Sequence, residues 1–183
     1  MSNLEYEYKF LINEFQKKEI IEFLNKNGQY IGSSYQKDVY YIPKFRDFET
    51  NGETTECLRV RTTEKGSVLC YKKIHREANP IYCDEYETKI ESAEEFEKIL
   101  LAIDFEIQMT IEKTRESFRF GDCQFDLDEV KDFGDLIEVE FKGDEIAEFD
   151  KIFEILNKFN IFKENANYEG IQMLIKKKRN KGE

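Results

Sequence analysis

Glu5, Glu7 and Lys9 stand at alternate positions of the opening EYEYK. The same spacing recurs in Arg59 and Arg61, Glu85 and Glu87, Lys113 and Arg115, Asp126 and Asp128, and Glu138 and Glu140. In an extended strand, residues two apart share a face, so each pair gathers like charge on one side. Tyr6, Tyr8, Val60, Tyr86, Phe125, Leu127, Ile137, Val139 and Phe141 take the other side. Two readings compete. An antiparallel sheet with rings in the core and charge in solvent explains any single strand. It explains less well why the charges segregate, acidic on some strands and basic on others, since solvated faces usually mix signs. If the charged faces instead converge in a wet interior, the two signs answer each other or a ligand, which is the condition for tolerating buried charge. Carboxylate oxygens suit hard cations such as Mg²⁺ or Mn²⁺, and guanidinium forks match phosphate oxygens. Rows of carboxylates beside Arg59, Arg61, Lys72, Lys113 and Arg115 would therefore suit a polyphosphate with divalent cations.

Positioning those rows requires strands, and alternation predicts them at residues 4–12, 30–42, 57–63, 67–74, 82–90, 108–120, 123–130 and 135–142. Turn signals at Asn51-Gly52, Lys65-Gly66, Asn79-Pro80, Gly121-Asp122 and Gly134 separate several of them. Helical periodicity predicts residues 14–26, with Phe15, Ile20, Phe23 and Leu24 near one stripe, and residues 93–103, with Phe96, Ile99, Leu100 and Ile103. It also predicts residues 145–159, with Ile146, Phe149, Ile152, Phe153 and Leu156, and a last helix from about Tyr168 to Lys178. Ser92-Ala93-Glu94-Glu95 reads as a capping box. The expected fold is α+β: eight mostly antiparallel strands in a closed or nearly closed sheet, with helices packed outside.

The chain has 183 residues and no Pro/Gly/Ser-rich linker, so one domain over 1–183 is expected. Its 28 basic residues against 39 acidic ones leave a net charge of −11, which excludes a general nucleic-acid surface. The basic run Lys176-Lys177-Lys178-Arg179 reads as a helix C-terminus whose cations suit the helix dipole. Cys57, Cys70, Cys83 and Cys123 form no C-x-x-C pair, and His75 is the single histidine, so reduced structural thiols are expected rather than a zinc site or disulfide framework. The longest apolar run is the five residues Ile99–Ile103, and the opening carries no apolar core of signal-peptide length. A cytoplasmic protein without a membrane partner is the expectation.

The E-x-E-x-K of Glu5, Glu7 and Lys9 resembles the N-terminal motif of the CYTH superfamily, the triphosphate tunnel metalloenzymes. Later elements fit the family order: Gln36-Lys37-Asp38-Val39-Tyr40-Tyr41, Leu58-Arg59-Val60-Arg61, Tyr71-Lys72, Glu85-Tyr86-Glu87, Lys113-Thr114-Arg115, and Leu127-Asp128-Glu129-Val130 through Gly134 to Glu138-Val139-Glu140. Tyr168 sits where a C-terminal tyrosine is common, and the match runs from residue 5 to about 174. The chain departs from the family at Cys83, which stands where R-x-E-x-E usually has arginine; Arg76 or Arg119 is a candidate substitute. The segment from Asp38 to Arg59 looks closer to the CyaB-like branch than to animal thiamine triphosphatases.

The resemblance implies an eight-stranded antiparallel tunnel that holds a triphosphate and Mg²⁺ or Mn²⁺, with two cations. It implies that Lys9, Arg59, Arg61, Lys72, Lys113 and Arg115 bind phosphate oxygens and that Glu5, Glu7, Asp128, Glu138 and Glu140 hold metal. Glu5, Glu7 and Lys9 enter catalysis on this reading, with Glu85, Glu87 and Tyr168 in support. The implied partner is a small triphosphate: tripolyphosphate, thiamine triphosphate or ATP. Hydrolysis of tripolyphosphate or an organic triphosphate is the expected activity, with class IV cyclisation of ATP to cyclic AMP and pyrophosphate as the alternative and triphosphate or polyphosphate binding without catalysis as the second. A monomer and a homodimer are both compatible with the chain.

Overall fold

The computed structural model describes residues 4–77, 82–141, 149–167 and 169–180, and of Leu4, Glu5, Tyr6, Phe149, Asp150 and Asn180 it describes the backbone. Among these residues the order of elements is β1 (Leu4–Ile12), α1 (Glu14–Asn27), β2 (Gln29–Pro43), β3 (Glu49–Thr50), β4 (Glu53–Thr54), β5 (Glu56–Thr63), β6 (Gly66–His75), β7 (Tyr82–Ile90), α2 (Ala93–Ala102), β8 (Phe105–Phe120), β9 (Cys123–Val130), β10 (Gly134–Phe141), α3 (Phe149–Asn157) and α4 (Ile171–Asn180). Eight strands close into an antiparallel barrel in the order β1-β10-β9-β8-β2-β5-β6-β7, and β3 pairs with β4 apart from it. Asn51 and Gly52 join that small hairpin with φ of 54° and 79°, the positive pair that a two-residue I′ turn demands. The sequence signalled this turn but not the two short strands beside it.

Contacts gather the chain into two compact units, one holding Tyr35–Glu112 with α4 and the other Glu5–Ser34 with Lys113–Tyr168. In the second unit, β1 pairs with β10, β10 with β9 and β9 with β8. Tyr8, Phe10, Ile12, Phe118, Phe125, Leu127, Ile137 and Val139 share one sheet face and pack with Ile20 and Leu24 of α1 and Ile152, Phe153 and Leu156 of α3. Tyr8 and Phe10 both meet the Phe153 ring edge-on, at centroid distances of 5.1 and 6.4 Å. In the first unit, Val39, Tyr41, Leu58, Val60 and Leu69 pack with Ala93, Phe96 and Leu100 of α2. In a closed barrel the helix-covered face is the outer one. The charged residues of alternate parity therefore lie on the inner face, and the Tyr8 ring of EYEYK goes outward, beneath helices.

Local rules account for the helix ends. Asn13 caps α1: its side chain accepts from the Gln16 N–H, and the Gln16 side chain answers the Asn13 N–H, a reciprocal box the sequence reading passed over. At Ser92 the expected box is half present: Ser92 Oγ accepts from the Glu95 N–H. The apolar stripes are narrower than periodicity suggested. Phe15, Ile99 and Ile103 are 69%, 56% and 54% exposed. Ile99 lies about 100° around the helix from Leu100, and Ile103 sits at the C-cap with φ −106° and ψ 33°, outside the helix. Residues 145–148 and Tyr168, parts of two expected helices, lie outside the described residues, as does residue 142 of the last expected strand.

Leu156 is completely buried in the larger apolar cluster. Leu156→Ala is expected to destabilise the fold by about 3 kcal/mol, through lost burial and the residual cavity. A urea unfolding midpoint lowered at unchanged slope would show it.

Candidate functional site

Each unit carries its own array of inward charges, positioned by strand register. In the second unit, Glu7 is paired opposite Glu140, Lys9 opposite Glu138, Glu138 opposite Asp126, and Arg115 opposite Asp128. Arg115 lies at the centre. Its Nε donates to Asp128 Oδ1 at 2.6 Å, Nη1 to Asp126 Oδ2 at 2.7 Å, and Nη2 to both Asp128 Oδ2 and Glu138 Oε2 at 2.5 Å. Lys113 Nζ donates to Asp128 Oδ2 at 2.5 Å, and the Lys113 and Asp128 side chains are 2% and 0% exposed. Lys9 is bonded to Glu7. Gln124 donates to both oxygens of Asp126.

Burial by itself would favour a neutral Glu138. Arg115, Lys113 and Lys9 outweigh it and hold the carboxyl well below the usual carboxylate range. Burial likewise opposes the charge on Arg115, and Glu138 and Asp128 more than restore it. These groups are therefore ionised at any working pH.

In the first unit, Asp38 faces Arg61 and Tyr40 faces Arg59 across β2 and β5. Arg59 is level with Cys70, which is level with Glu87, and Lys72 is level with Glu85. Arg61 grips the fully buried Asp38 in a fork, Nε to Oδ1 at 2.7 Å and Nη2 to Oδ2 at 2.8 Å. Arg59 is more loosely held, with Nη1 3.9 Å from Asp38 Oδ2 and Nη2 3.7 Å from Glu87 Oε1. Lys72 Nζ lies 3.0 Å from Glu85 Oε2. Cys70 Sγ donates to Glu85 Oε1 at 2.9 Å, and burial pushes this thiol far above its ordinary range, so it is no nucleophile at neutral pH. Among the described residues, Cys70, Glu85 and Glu87 bring three ligand atoms within 4.8 Å of one another.

The expected residues thus fall into two arrays. Lys9, Lys113, Arg115, Glu7, Asp128, Glu138 and Glu140 share the inner face of one unit, and Arg59, Arg61, Lys72, Glu85 and Glu87 that of the other. Glu5 lies on β1 with its side chain outside the described residues, and Tyr168 is outside them altogether. Cys83 pairs opposite Ile74. Of its candidate substitutes, Arg76 donates Nε to the Thr54 carbonyl at 2.8 Å, and Arg119 is exposed. Sequence reasoning assigned no role to Asp38 or Asp126, which organise Arg61 and Arg115. Both lie on the same sheet face as their basic partners. The missing information was register, which the β3–β4 excursion hides between β2 and β5. The four cysteines remain thiols, and among the described residues no helix is long and apolar enough to cross a membrane.

His75 lies at the far end of β6, level with Tyr82, with which it stacks at 4.5 Å. Its pKa is raised, chiefly by the Asp84 carboxylate 2.9 Å from Nε2, with Glu77 adding to the effect. A raised folded-state pKa stabilises fully below the unfolded value near 6.5, and that stabilisation is lost as pH rises through the folded value. The melting temperature should therefore carry a component that falls as pH is raised above 6.5, and His75→Gln should remove it. Identical melting profiles for the two proteins across that window would contradict the assignment.

An antiparallel barrel under helices, lined by charge of both signs, defines a class, and family comparison agrees with it. The chain belongs to the CYTH domain family, whose model matches residues 3–168. It is 32% identical over 167 residues to a Methanocaldococcus jannaschii protein named "Putative adenylate cyclase MJ0240", with 88% of this chain and 93% of that one covered. Among solved structures it is similar to the PH1819 protein of Pyrococcus horikoshii OT3, at 25% identity, a TM-score of 0.76 and coverage of 95% and 99%. The fold is shared with HpAC1 from Hippeastrum, at 16% identity, a TM-score of 0.64 and coverage of 91% and 90%; that protein is described as a "Putative adenylyl cyclase" with a dominant triphosphatase activity.

Proposed function

We propose that the chain is a divalent-metal-dependent triphosphatase that hydrolyses tripolyphosphate or an organic triphosphate. The observation that carries this reading is the segregation of oxygen-only acidic rows and guanidinium rows on the inner face of the sheet, with the apolar face spent on the helices.

The donor set fits a hard cation. Glu7 stands directly opposite Glu140, and Glu138 directly opposite Asp126. Like charges in direct cross-strand pairs are unfavourable by themselves and are offset by a cation; Arg115 bridges Glu138 and Asp126, and a metal ion would serve the Glu7–Glu140 pair. Glu5, Glu7, Asp128, Glu138 and Glu140 would hold Mg²⁺ or Mn²⁺ in a two-metal arrangement. When bound, such ions neutralise phosphate charge and acidify a water for in-line attack. Arg59, Arg61, Lys72, Lys113, Arg115 and Lys9 contact phosphate oxygens and stabilise charge that develops on the leaving group. Glu5, Glu7 and Lys9 are assigned to catalysis. Glu85 and Glu87 keep Lys72 and Arg59 oriented, and Tyr168 is assigned to support. No histidine or thiolate base is required.

A class IV adenylate cyclase is the second reading, favoured by the name of the 32% identical relative. It uses the same charges with the ribose 3′-hydroxyl as nucleophile. One panel separates the possibilities: purified protein with tripolyphosphate, thiamine triphosphate or ATP, in Mg²⁺ or Mn²⁺, followed by phosphate, pyrophosphate and cyclic AMP. Phosphate release is the expected result. Cyclic AMP as main product would replace hydrolysis by cyclisation, and tight metal-free binding without turnover would make the protein a binding module.

A further inference from the structure

Arg59 and Arg61 share a face of β5 but are held in opposite ways. Arg61 spends Nε and Nη2 on the two oxygens of Asp38. The closest carboxylate approaches of Arg59, at 3.9 and 3.7 Å, exceed hydrogen-bond length. Its Nε is buried and without a hydrogen-bond partner among the described residues, and the side chain is 13% exposed. Arg115 gives the contrast, since each of its three nitrogens is bonded to a carboxylate.

A guanidinium offers five N–H donors, and leaving one buried and unpaired costs on the order of 1–3 kcal/mol. Asp38 provides the compensation. Burial opposes the charge on Arg59, and the Asp38 field more than restores it. Arg59 Nη1 stays 3.9 Å from Asp38 Oδ2, so that field reaches Arg59 without a bond that would consume its donors.

We infer that Asp38 is a positioning residue: it locks Arg61 and, by attracting Arg59 without bonding it, keeps the Arg59 donors open for a phosphate oxygen. The inference rests on the triphosphate reading above. It assigns the first contact with the anion to Arg59, and it makes the Asp38–Arg61 fork the device that holds Arg59 ready.

Two measurements test it on the full chain with tripolyphosphate as probe. In the wild type, the Arg59 Nε–H resonance should shift and gain exchange protection on titration, while the Arg61 Nε–H, already bonded to Asp38, gains no further protection. Protection gained by Arg61 alone, or by both equally, would overturn the inference. Asp38→Asn keeps the shape but removes the charge, and it should raise Kd and KM roughly tenfold or more while changing kcat by less than about threefold. In an Arg59→Ala background the same substitution should cost almost nothing further in affinity. Losses that multiply, or an unchanged Kd in a merely less stable Asp38→Asn, would reduce Asp38 to a structural counter-charge. Absence of any wild-type binding would instead sink the triphosphate reading itself.

Discussion

Glu138→Gln is expected to lower triphosphate turnover by roughly three orders of magnitude, equivalent to about 4 kcal/mol in the barrier. The substitution preserves volume and removes one negative charge. That charge is secured by Arg115, Lys113 and Lys9 against the cost of burial, so it is present at every pH at which the enzyme is assayed. Glu138 is also opposite both Lys9 and Asp126, at the centre of its acidic row. A hard cation held there loses an anionic oxygen and gains an amide that binds it weakly. The effect should fall on turnover and on the metal concentration needed for half activity. Single-turnover kinetics over a range of Mn²⁺ would measure both, and full activity at low Mn²⁺ would remove Glu138 from the proposed metal set.

The second large effect concerns stability. Arg115→Met should destabilise the fold by about 3–5 kcal/mol, because it removes the cation that Asp126, Asp128 and Glu138 share and leaves three largely buried carboxylates to Lys113 and Lys9. Typical domains are stable by only about 5–15 kcal/mol, so unfolding should begin at markedly lower urea. The loss should be non-additive. Asp126→Asn in the Arg115→Met background removes a charge that has lost its partner, so the double variant should be more stable than the sum of the single effects implies. Additive losses in the double-mutant cycle would mean that Asp126 draws its compensation elsewhere. Both variants should be judged against Leu156→Ala, which probes packing and leaves the charged face untouched.

Much of this arrangement was legible in the chain because strand parity is a strict code. Once Glu138 and Glu140 alternate with Ile137, Val139 and Phe141, a single decision about which face is covered settles the direction of every side chain in the strand. The decision itself was ambiguous for EYEYK alone, where rings inward was the simpler reading. Covering helices reversed it, since Phe153 and Leu156 supply an apolar partner for Tyr8 and Phe10 on the outer face. What stayed hidden depended on register and on distance. Nothing in the local sequence says that Asp38 lies across from Arg61, or that Arg115 is saturated while Arg59 is not. These differences come from pairings between segments separated by hairpins, and parity carries no information about them. The exposure of Ile99 depends on how much of a ten-residue helix the sheet can cover, and that of Ile103 on where the helix ends.

The pairing of β1 with β10 also bears on how the chain acquires its fold. Lys9 meets Glu138 and Tyr8 meets Val139, so β1 waits for β10, which is made much later, before this edge of its backbone is satisfied. Its other face, the rings of Tyr8 and Phe10, waits for α3, which is made later still. Loop-closure entropy over such a separation is spent before any contact rewards it, which places folding among slow, non-local topologies of milliseconds to seconds. During that interval EYEYKF is an unpaired strand with three aromatic rings. Its alternating charges keep that waiting edge soluble, as edge-strand charges do elsewhere.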